Sequence, residues 1–206
     1  MRLVVDWDGT ATEVDGLYEV IRTFGDERIY EETEGRLGRE LTLNEVIAIE
    51  VGTVTAPLSG VVEWVRENVR VRAGFPELAR AHDPLVVSSG FHELIEPVLE
   101  REGLSLDVLA NRLEKGGGRW RALFRNGEPC ATCGEPCKRC DVAGLDGFAY
   151  AGDGVSDRCV ALAASRVFAR DGLATYLEAR GVAFEPFDDF HDVLRALYQS
   201  SSSTTG

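Results

Sequence analysis

Near the start of the chain two aspartates, Asp6 and Asp8, stand one residue apart in "VVDWDGT", behind an apolar run and ahead of a Gly-Thr turn. Like charges this close repel, and a chain tolerates that chiefly where a cation, or a phosphoryl group held by a cation, binds. Three later segments carry complementary groups. "PLVVSSG" ends an apolar run on Ser88 with small residues behind it, which suits a hydroxyl and backbone N–H groups turned towards an anion. "YAGDGVSD" ends another run with Asp153 and Asp157, and Gly152 and Gly154 let the backbone come close. Lys138 precedes that run and is one of only two lysines among 22 basic residues. A lysine in an arginine-using chain asks for a reason, since an ammonium is a compact point charge and a guanidinium a planar fork. The carboxylates suit Mg2+, which takes a few of them and keeps positions for water and phosphate oxygens. The set predicts phosphoryl transfer.

The elements that must position these groups are legible in outline. Apolar β-rich runs at Leu3 to Val5, Leu85 to Val87, Val108 to Leu109, Phe148 to Ala151 and Val167 to Ala169 alternate with helical patterns, which predicts an α/β fold, doubly wound, with a mainly parallel sheet. Ligands of such sheets sit at the C-terminal strand ends, where Asp6, Ser88 and Asp153 fall. The gap between the first two runs is too long for one crossover and shows helical periodicity in "GLYEVIRTF", "ERIYEETEGRL", "TLNEVIAIEV" and "LSGVVEWVRENV". Thr42 and Glu45 have capping-box spacing. The expected organisation is a Rossmann-like core over 1–13 and 72–199, with a helical cap inserted over 14–71 as a lid. "NRLEKGGGRWRALF" predicts two short antiparallel strands about a glycine turn, with Lys115 a solvated turn residue. The polar stretch 200–206 is expected to be disordered.

At 206 residues there is room for one α/β domain with an insertion. The net charge of -13 opposes phosphate backbones and anionic membranes, so neither nucleic acid nor a membrane is an expected partner. No apolar run approaches the roughly 20 residues needed to span a bilayer, and a strand begins at Arg2 with no leader ahead of it, from which a cytoplasmic location is expected. A small phosphorylated metabolite is the expected ligand and a homodimer the expected assembly.

In a reducing compartment, four of five cysteines within "CATCGEPCKRC" suggest metal more than disulfides. Two C-x2-C pairs separated by three residues offer a structural Zn2+ site on Cys130, Cys133, Cys137 and Cys140, with Gly134 and Pro136 as turn residues. Reduced thiols, a labile disulfide or a cluster are the alternatives. Lys138 lies inside this loop, so a metal there would fix its backbone. Cys159 and Trp64 are expected in the core, and Trp7 beneath the site or facing the cap. His82, His92 and His191 are scattered, without metal spacing.

In this order, "DWDGT", "VVSSG", Lys138 and "GDGVSD" resemble the four motifs of the haloacid dehalogenase superfamily, over Arg2 to about Asp192 and with the helical insertion where that superfamily places a cap. The resemblance implies that Asp6 is a nucleophile forming an aspartyl-phosphate, and that Asp8 is first general acid and then general base. Asp8 also implies a phosphatase, since dehalogenases of the superfamily lack it. By the same resemblance Mg2+ binds Asp6, the Asp8 carbonyl and Asp153, with Asp157 supporting that site or orienting Lys138. Gly9, Ser88, Ser89 and Lys138 would hold the phosphoryl oxygens.

The cap and "GDGVSD" resemble the phosphoserine phosphatase-like branch. Phosphoserine phosphatases carry a Glu where Asp15 stands and an Asn where Ser156 stands. "DWDGTATEVD" with Asp15, "CGEPCK" and "ANRLE" resemble instead the methionine-salvage phosphatases of 2-hydroxy-3-keto-5-methylthiopentenyl-1-phosphate, which favours that substrate, with phosphoserine the alternative. Arg36 and Arg39 in the cap would suit a substrate carboxylate, or form a solvated helix face. A phosphotransferase or phosphomutase would share these motifs, and a catalytically inactive core whose zinc loop binds a partner is the non-enzymatic reading.

Overall fold

Leu3, Val4 and Val5 are buried whichever way they point, a pattern that only a strand covered on both faces requires. In the computed structural model, which describes residues 1–114 and 118–202 (the last three by backbone alone), that strand is β1 (Arg2–Val5), the middle of a seven-stranded sheet. Four helices follow: α1 (Gly16–Phe24), α2 (Glu27–Glu34), α3 (Leu43–Val51) and α4 (Leu58–Asn68). Then come α5 (Phe75–His82), β2 (Leu85–Phe91), α6 (His92–Arg101), β3 (Val108–Glu114), β4 (Arg121–Leu123), α7 (Lys138–Asp141), β5 (Phe148–Gly152), α8 (Arg158–Ala161), β6 (Arg166–Ala169), α9 (Asp171–Glu178), β7 (Glu185–Pro186) and α10 (Phe190–Ser202). The strand order is β4-β3-β2-β1-β5-β6-β7, all parallel except β4.

The chain leaves β1 towards β2 on one side and returns to β5 on the other, so the strand order reverses at β1. That switch point opens a crevice beyond the carboxyl ends of the three central strands. Alternation along the strands splits the core in two. Leu3, Val5, Val86, Ala149 and Ala151 face one layer, with α4, α5, α6 and α10, while Val4, Val87, Phe148 and Tyr150 face the other, with α8 and α9. Trp7 is buried and meets Phe75 edge to face at 5.9 Å, beneath the site as one expectation had it. Trp64 packs against Phe24 in the same way.

The four helices between β1 and α5 begin and end on local signals. Asp15 caps α1 by accepting the Tyr18 N–H, and Thr42 and Glu45 form the expected capping box on α3. Helix α2 stops at Glu34, short of the predicted Leu37, because Gly35 interrupts it. The segments that carry the chain out and back meet in a single antiparallel bridge: Glu13 N–H donates to Arg70 O and Arg72 N–H to Ala11 O. Apolar side chains of α1, α3 and α4 join the sheet's first layer without a break, Val20, Val51, Val61 and Val65 among them.

The predicted hairpin is present as β3 and β4, with Leu113 opposite Ala122. Lys115, expected as a solvated turn residue, lies outside the described residues. Helix α10 runs through Ser202, so the first residues of the stretch expected to be disordered are helical, while 203–206 lie outside the described residues. Among the described residues no helix is long and apolar enough to cross a membrane.

Glu50, on α3, is buried to 3 % exposure with one partner, the Thr33 hydroxyl at 2.8 Å. Burial pushes its carboxyl up to about 7. The folded state therefore holds this proton more tightly than the unfolded chain does. Its stabilising effect is complete below the ordinary glutamate range and is lost as pH rises to about 7. Glu50→Gln, which keeps an acceptor for Thr33, should abolish that slope and be more stable than the parent at pH 8 by about 3 kcal/mol. Denaturant unfolding of both proteins from pH 5 to pH 8 checks this, and parallel curves would count against it.

Candidate active site

The carboxyl end of β1 delivers Asp6 into the crevice, its N–H held by Ala151 O of β5 at 2.9 Å. The chain then turns sharply over Trp7–Ala11. Gly9 makes that turn at φ 73°, and a Cβ there would stand 2.6 Å from Asp153 Oδ2, so position 9 needs glycine for both conformation and space. The Arg72 guanidinium locks the turn by donating to the carbonyls of Gly9, Thr10 and Thr12 at 2.7 to 3.0 Å.

Asp6, Asp153 and Asp157 each offer a carboxylate oxygen within 4.8 Å of the others. Lys138, buried in the middle, donates from Nζ to Asp6 Oδ1 and, at 2.6 Å, to Asp157 Oδ1. Burial disfavours the ammonium, but Asp157 and Asp6 more than offset it and hold Lys138 above its ordinary range. Asp157 is saturated: Tyr150 OH also reaches Oδ1 at 2.6 Å, and the N–H groups of Asp153 and Gly154 reach Oδ2 at 2.9 Å. Burial opposes its ionisation, yet Lys138 and the Gly154 N–H outweigh that and keep Asp157 below the carboxylate range. These four donors match the second of its two expected roles, orienting Lys138, while its carboxylate still stands in the group whose oxygens could hold a metal. Of the two neighbouring glycines, Gly152 is required, since a Cβ would sit 2.6 Å from Asp157 Oδ2, whereas Gly154 faces open space.

Asp6 and Asp153 share a weaker donor, the Thr10 hydroxyl, 2.6 Å from Asp153 Oδ1 and 3.2 Å from Asp6 Oδ2. Burial first, and Asp157 second, hold both well above or above the usual carboxylate range. The protein thus places three carboxylates around one ammonium and leaves two short of positive charge. Hard oxygen donors with a charge deficit fit a divalent cation such as Mg2+.

Asp8 is separate from this group. Its Oδ1 accepts the Gly16 N–H at 3.0 Å and its Oδ2 the Ser88 hydroxyl at 3.3 Å. Burial, then the charge of Asp15, push its carboxyl up to about 7. Ser88 Oγ in turn accepts the Gly90 N–H at 2.8 Å, and a Cβ on Gly90 would come 2.7 Å from Asp8 Oδ2. Ser88, expected on a phosphoryl oxygen, is therefore turned towards Asp8. The Ser89 carbonyl is held by Asn111 Nδ2 at 2.8 Å.

A cavity of about 180 Å3 opens over these groups. Its floor is Asp6, Asp8, Ser88, Ser89, Lys138 and Asp153. Its roof comes from the inserted segment: Leu17, Tyr18, Tyr30, Leu43 and Ile47 on helices and Leu37 beyond the end of α2, with Asp15, Glu34 and Glu50. Among the described residues that line it, Lys138 is the one cation. Arg36 pairs with Glu40 at 2.9 Å on the outer surface, and Arg39 lines an adjoining cavity of about 750 Å3 instead. Asp15 lines the small cavity while capping α1.

Of the predicted thiol set, Cys130, Cys133 and Cys137 come together but Cys140 does not; Cys159, expected in the core, stands in its place. Lys138 and Cys140 share α7, where two residues turn the side chain roughly 200°. With Lys138 pointing inward, Cys140 points elsewhere.

A family model described as haloacid dehalogenase-like hydrolase matches residues 3–162. The chain belongs to that family. Similar proteins include the 2-hydroxy-3-keto-5-methylthiopentenyl-1-phosphate phosphatases of Geobacillus kaustophilus, 28% identical over 95% of this hydrolase and 94% of that protein, and of Lysinibacillus sphaericus, 26% identical over 94% and 92%. A polyol phosphate phosphatase of Saccharomyces cerevisiae is 26% identical over 96% and 92%. Among solved structures, a phospho-aspartyl intermediate analogue of phosphoserine phosphatase aligns with a TM-score of 0.70 at 17% identity, covering 95% of this hydrolase and 97% of that chain. The phosphoserine phosphatase of T. onnurineus aligns at 0.68 and 19% identity, over 94% and 92%. These structures share the α/β fold expected from the sequence.

Several groups in the site carry no sequence signal of their own. Thr10 lies within "DWDGT" and could have been given a role from its place there. Tyr150 likewise opens "YAGDGVSD", seven residues before its partner Asp157, whereas Arg72 and Asn111 could not have been given one, because each reaches the site from a distant element.

Proposed function

We propose that the chain is a Mg2+-dependent phosphomonoesterase that works through an aspartyl-phosphate on Asp6, with residues 14–71 as its cap. The observation that carries this is the division between the two aspartates. Asp6 stands in the charged group with Lys138 and Asp153, while Asp8 stands outside it with a carboxyl at about 7. A carboxyl near neutrality both gives and takes a proton readily.

Asp6, Asp153 and the Asp8 carbonyl would hold Mg2+, which when bound screens the repulsion between carboxylate and phosphate. Lys138 neutralises Asp6 in the resting site and holds charge on the phosphoryl oxygens as the Asp6 oxygen bonds to phosphorus. Asp8 delivers its proton to the departing alcohol oxygen and then takes one from the water that cleaves the acyl phosphate. The turn amides near Gly9 and Ser89 would meet the remaining phosphoryl oxygens.

The cavity supports a substrate that carries no carboxylate beside its phosphate. Its roof is apolar and aromatic and carries the acids Asp15, Glu34 and Glu50, so a carboxylate would meet these with no cation besides Lys138 among the described lining residues. That supports a substrate like 2-hydroxy-3-keto-5-methylthiopentenyl-1-phosphate over phosphoserine. A cytoplasmic location belongs to the same reading, supported by a thiol-rich loop that a reducing compartment keeps available for metal.

The test is kcat/KM with Mg2+ for phosphorylated metabolites matched in size, with and without a carboxylate. Neutral compounds should exceed phosphoserine by at least about 100-fold, and chelation should end turnover. A preference for phosphoserine would overturn the substrate class, and activity unaffected by chelation would overturn the metal.

A further inference from the structure

The fold selects four thiols that the linear spacing does not. Cys130, Cys133 and Cys137 from the loop before α7, and Cys159 from α8, bring their sulfurs within 4.8 Å of one another. Cys130 Sγ and Cys159 Sγ are 3.9 Å apart. A tetrahedral metal with Zn–S bonds of about 2.3 Å sets its sulfurs about 3.8 Å apart, whereas a disulfide closes to about 2.05 Å. The spacing is too wide for a disulfide and leaves room for an ion among the four sulfurs.

The backbone supports the same conclusion. Gly134, at φ 80°, turns the chain so that its N–H returns to Cys130 O at 2.8 Å, and Cys130 N–H reaches Glu135 O at 3.0 Å. This closes a tight loop around Cys130 and Cys133. Thr132 N–H points at Cys130 Sγ from 3.4 Å, and amides aimed at a sulfur stabilise the thiolate, the form that ligates metal.

We propose that Cys130, Cys133, Cys137 and Cys159 bind one Zn2+ that clamps the Lys138 loop to α8. Four thiolates complete the shell and leave no open position, so the ion is structural. Its consequence for catalysis rests on the phosphatase reading; its existence does not. Cys137 immediately precedes Lys138, and Cys159 follows Asp157 by two residues. The clamp therefore holds both ends of the buried Lys138–Asp157 ion pair, and with it the place of Nζ beside Asp6. Lys138 opens the four-residue α7, which buried Val142 and the Arg125–Asp141 pair hold at its far end, and a metal cross-link to the segment carrying Asp157 would fix its near end.

Full-length protein purified without chelator should carry one zinc per chain. Cys140→Ser should keep it, and Cys159→Ser should lose most of it. In the native protein an aromatic disulfide reagent should modify one thiol, and all five after chelation. Cobalt(II) substitution should give the intense sulfur-to-metal charge-transfer bands of a tetrahedral thiolate site, a readout that stands if Cys159→Ser does not fold. Asp6→Asn should retain zinc, which separates this site from the phosphatase reading. Zinc kept in Cys159→Ser but lost in Cys140→Ser, five freely reactive thiols without metal, native disulfides, or iron in place of zinc would each overturn the proposal.

Discussion

Asp6→Asn should lower kcat by at least about 10^4-fold and leave the fold intact, because it removes a nucleophilic oxygen without changing the shape of the side chain. Its effect on stability should run the other way. Asp6 is buried beside Asp157 and Asp153, and burial together with their charges holds its carboxyl well above the usual range even with Lys138 in contact. A neutral amide suits that setting better than a carboxylate does when no divalent cation is bound. Metal-free Asp6→Asn should thus melt no lower than the parent. The check is kcat on a generic aryl phosphate with Mg2+, beside thermal unfolding in chelator. Residual activity above about 1% would remove Asp6 from the nucleophile's role, and a lower melting temperature would contradict the charge balance drawn for the site.

Lys138→Met should be the most destabilising single change in the site. The ammonium stands between Asp6 Oδ1 and Asp157 Oδ1, all three groups buried. Breaking a buried pair by removing one partner costs about 3–5 kcal/mol, since the remaining charges have neither water nor a counterion. Here two carboxylates would be left facing each other. Activity should fall with stability. The two effects separate in Lys138→Met combined with Asp157→Asn, where one orphan charge is gone: stability should recover in part and turnover should not. Lys138→Arg should not rescue turnover, because a planar fork cannot take the place of a point charge between two single oxygens. Denaturant midpoints and kcat for the three variants decide this. A Lys138→Met protein as stable as the parent would show that the ion pair does not hold the site together.

Much of this was visible before any coordinates, for identifiable reasons. Strand ends read well because a buried parallel strand needs an uninterrupted apolar run, and Leu3 to Val5, Leu85 to Val87 and Phe148 to Ala151 supply one each. The helices between β1 and α5 were legible from periodicity and caps, with the Thr42–Glu45 box where the spacing placed it. The end of α2 was misjudged by three residues, as helix ends are when a glycine rather than a capping side chain stops them. Site roles divided along the same line. Asp6, Ser88 and Asp153 meet because strand order brings three carboxyl ends together, which alternating β and α runs already imply.

What the sequence determined by itself was chemical type: paired aspartates, a rare lysine and a cysteine-rich loop, each on a segment whose local structure follows from its own residues. The tertiary structure decided which atoms face which. It saturated Asp157 with four close donors and so made it an orienting group, turned Ser88 towards Asp8, kept Arg36 and Arg39 off the small cavity, and exchanged Cys140 for Cys159. Each outcome depends on contacts between segments far apart in the chain or on the facing of one helical turn. Helix and strand signals extend over a few residues, whereas the direction of a buried carboxylate or thiol is set by whatever the rest of the fold packs against it.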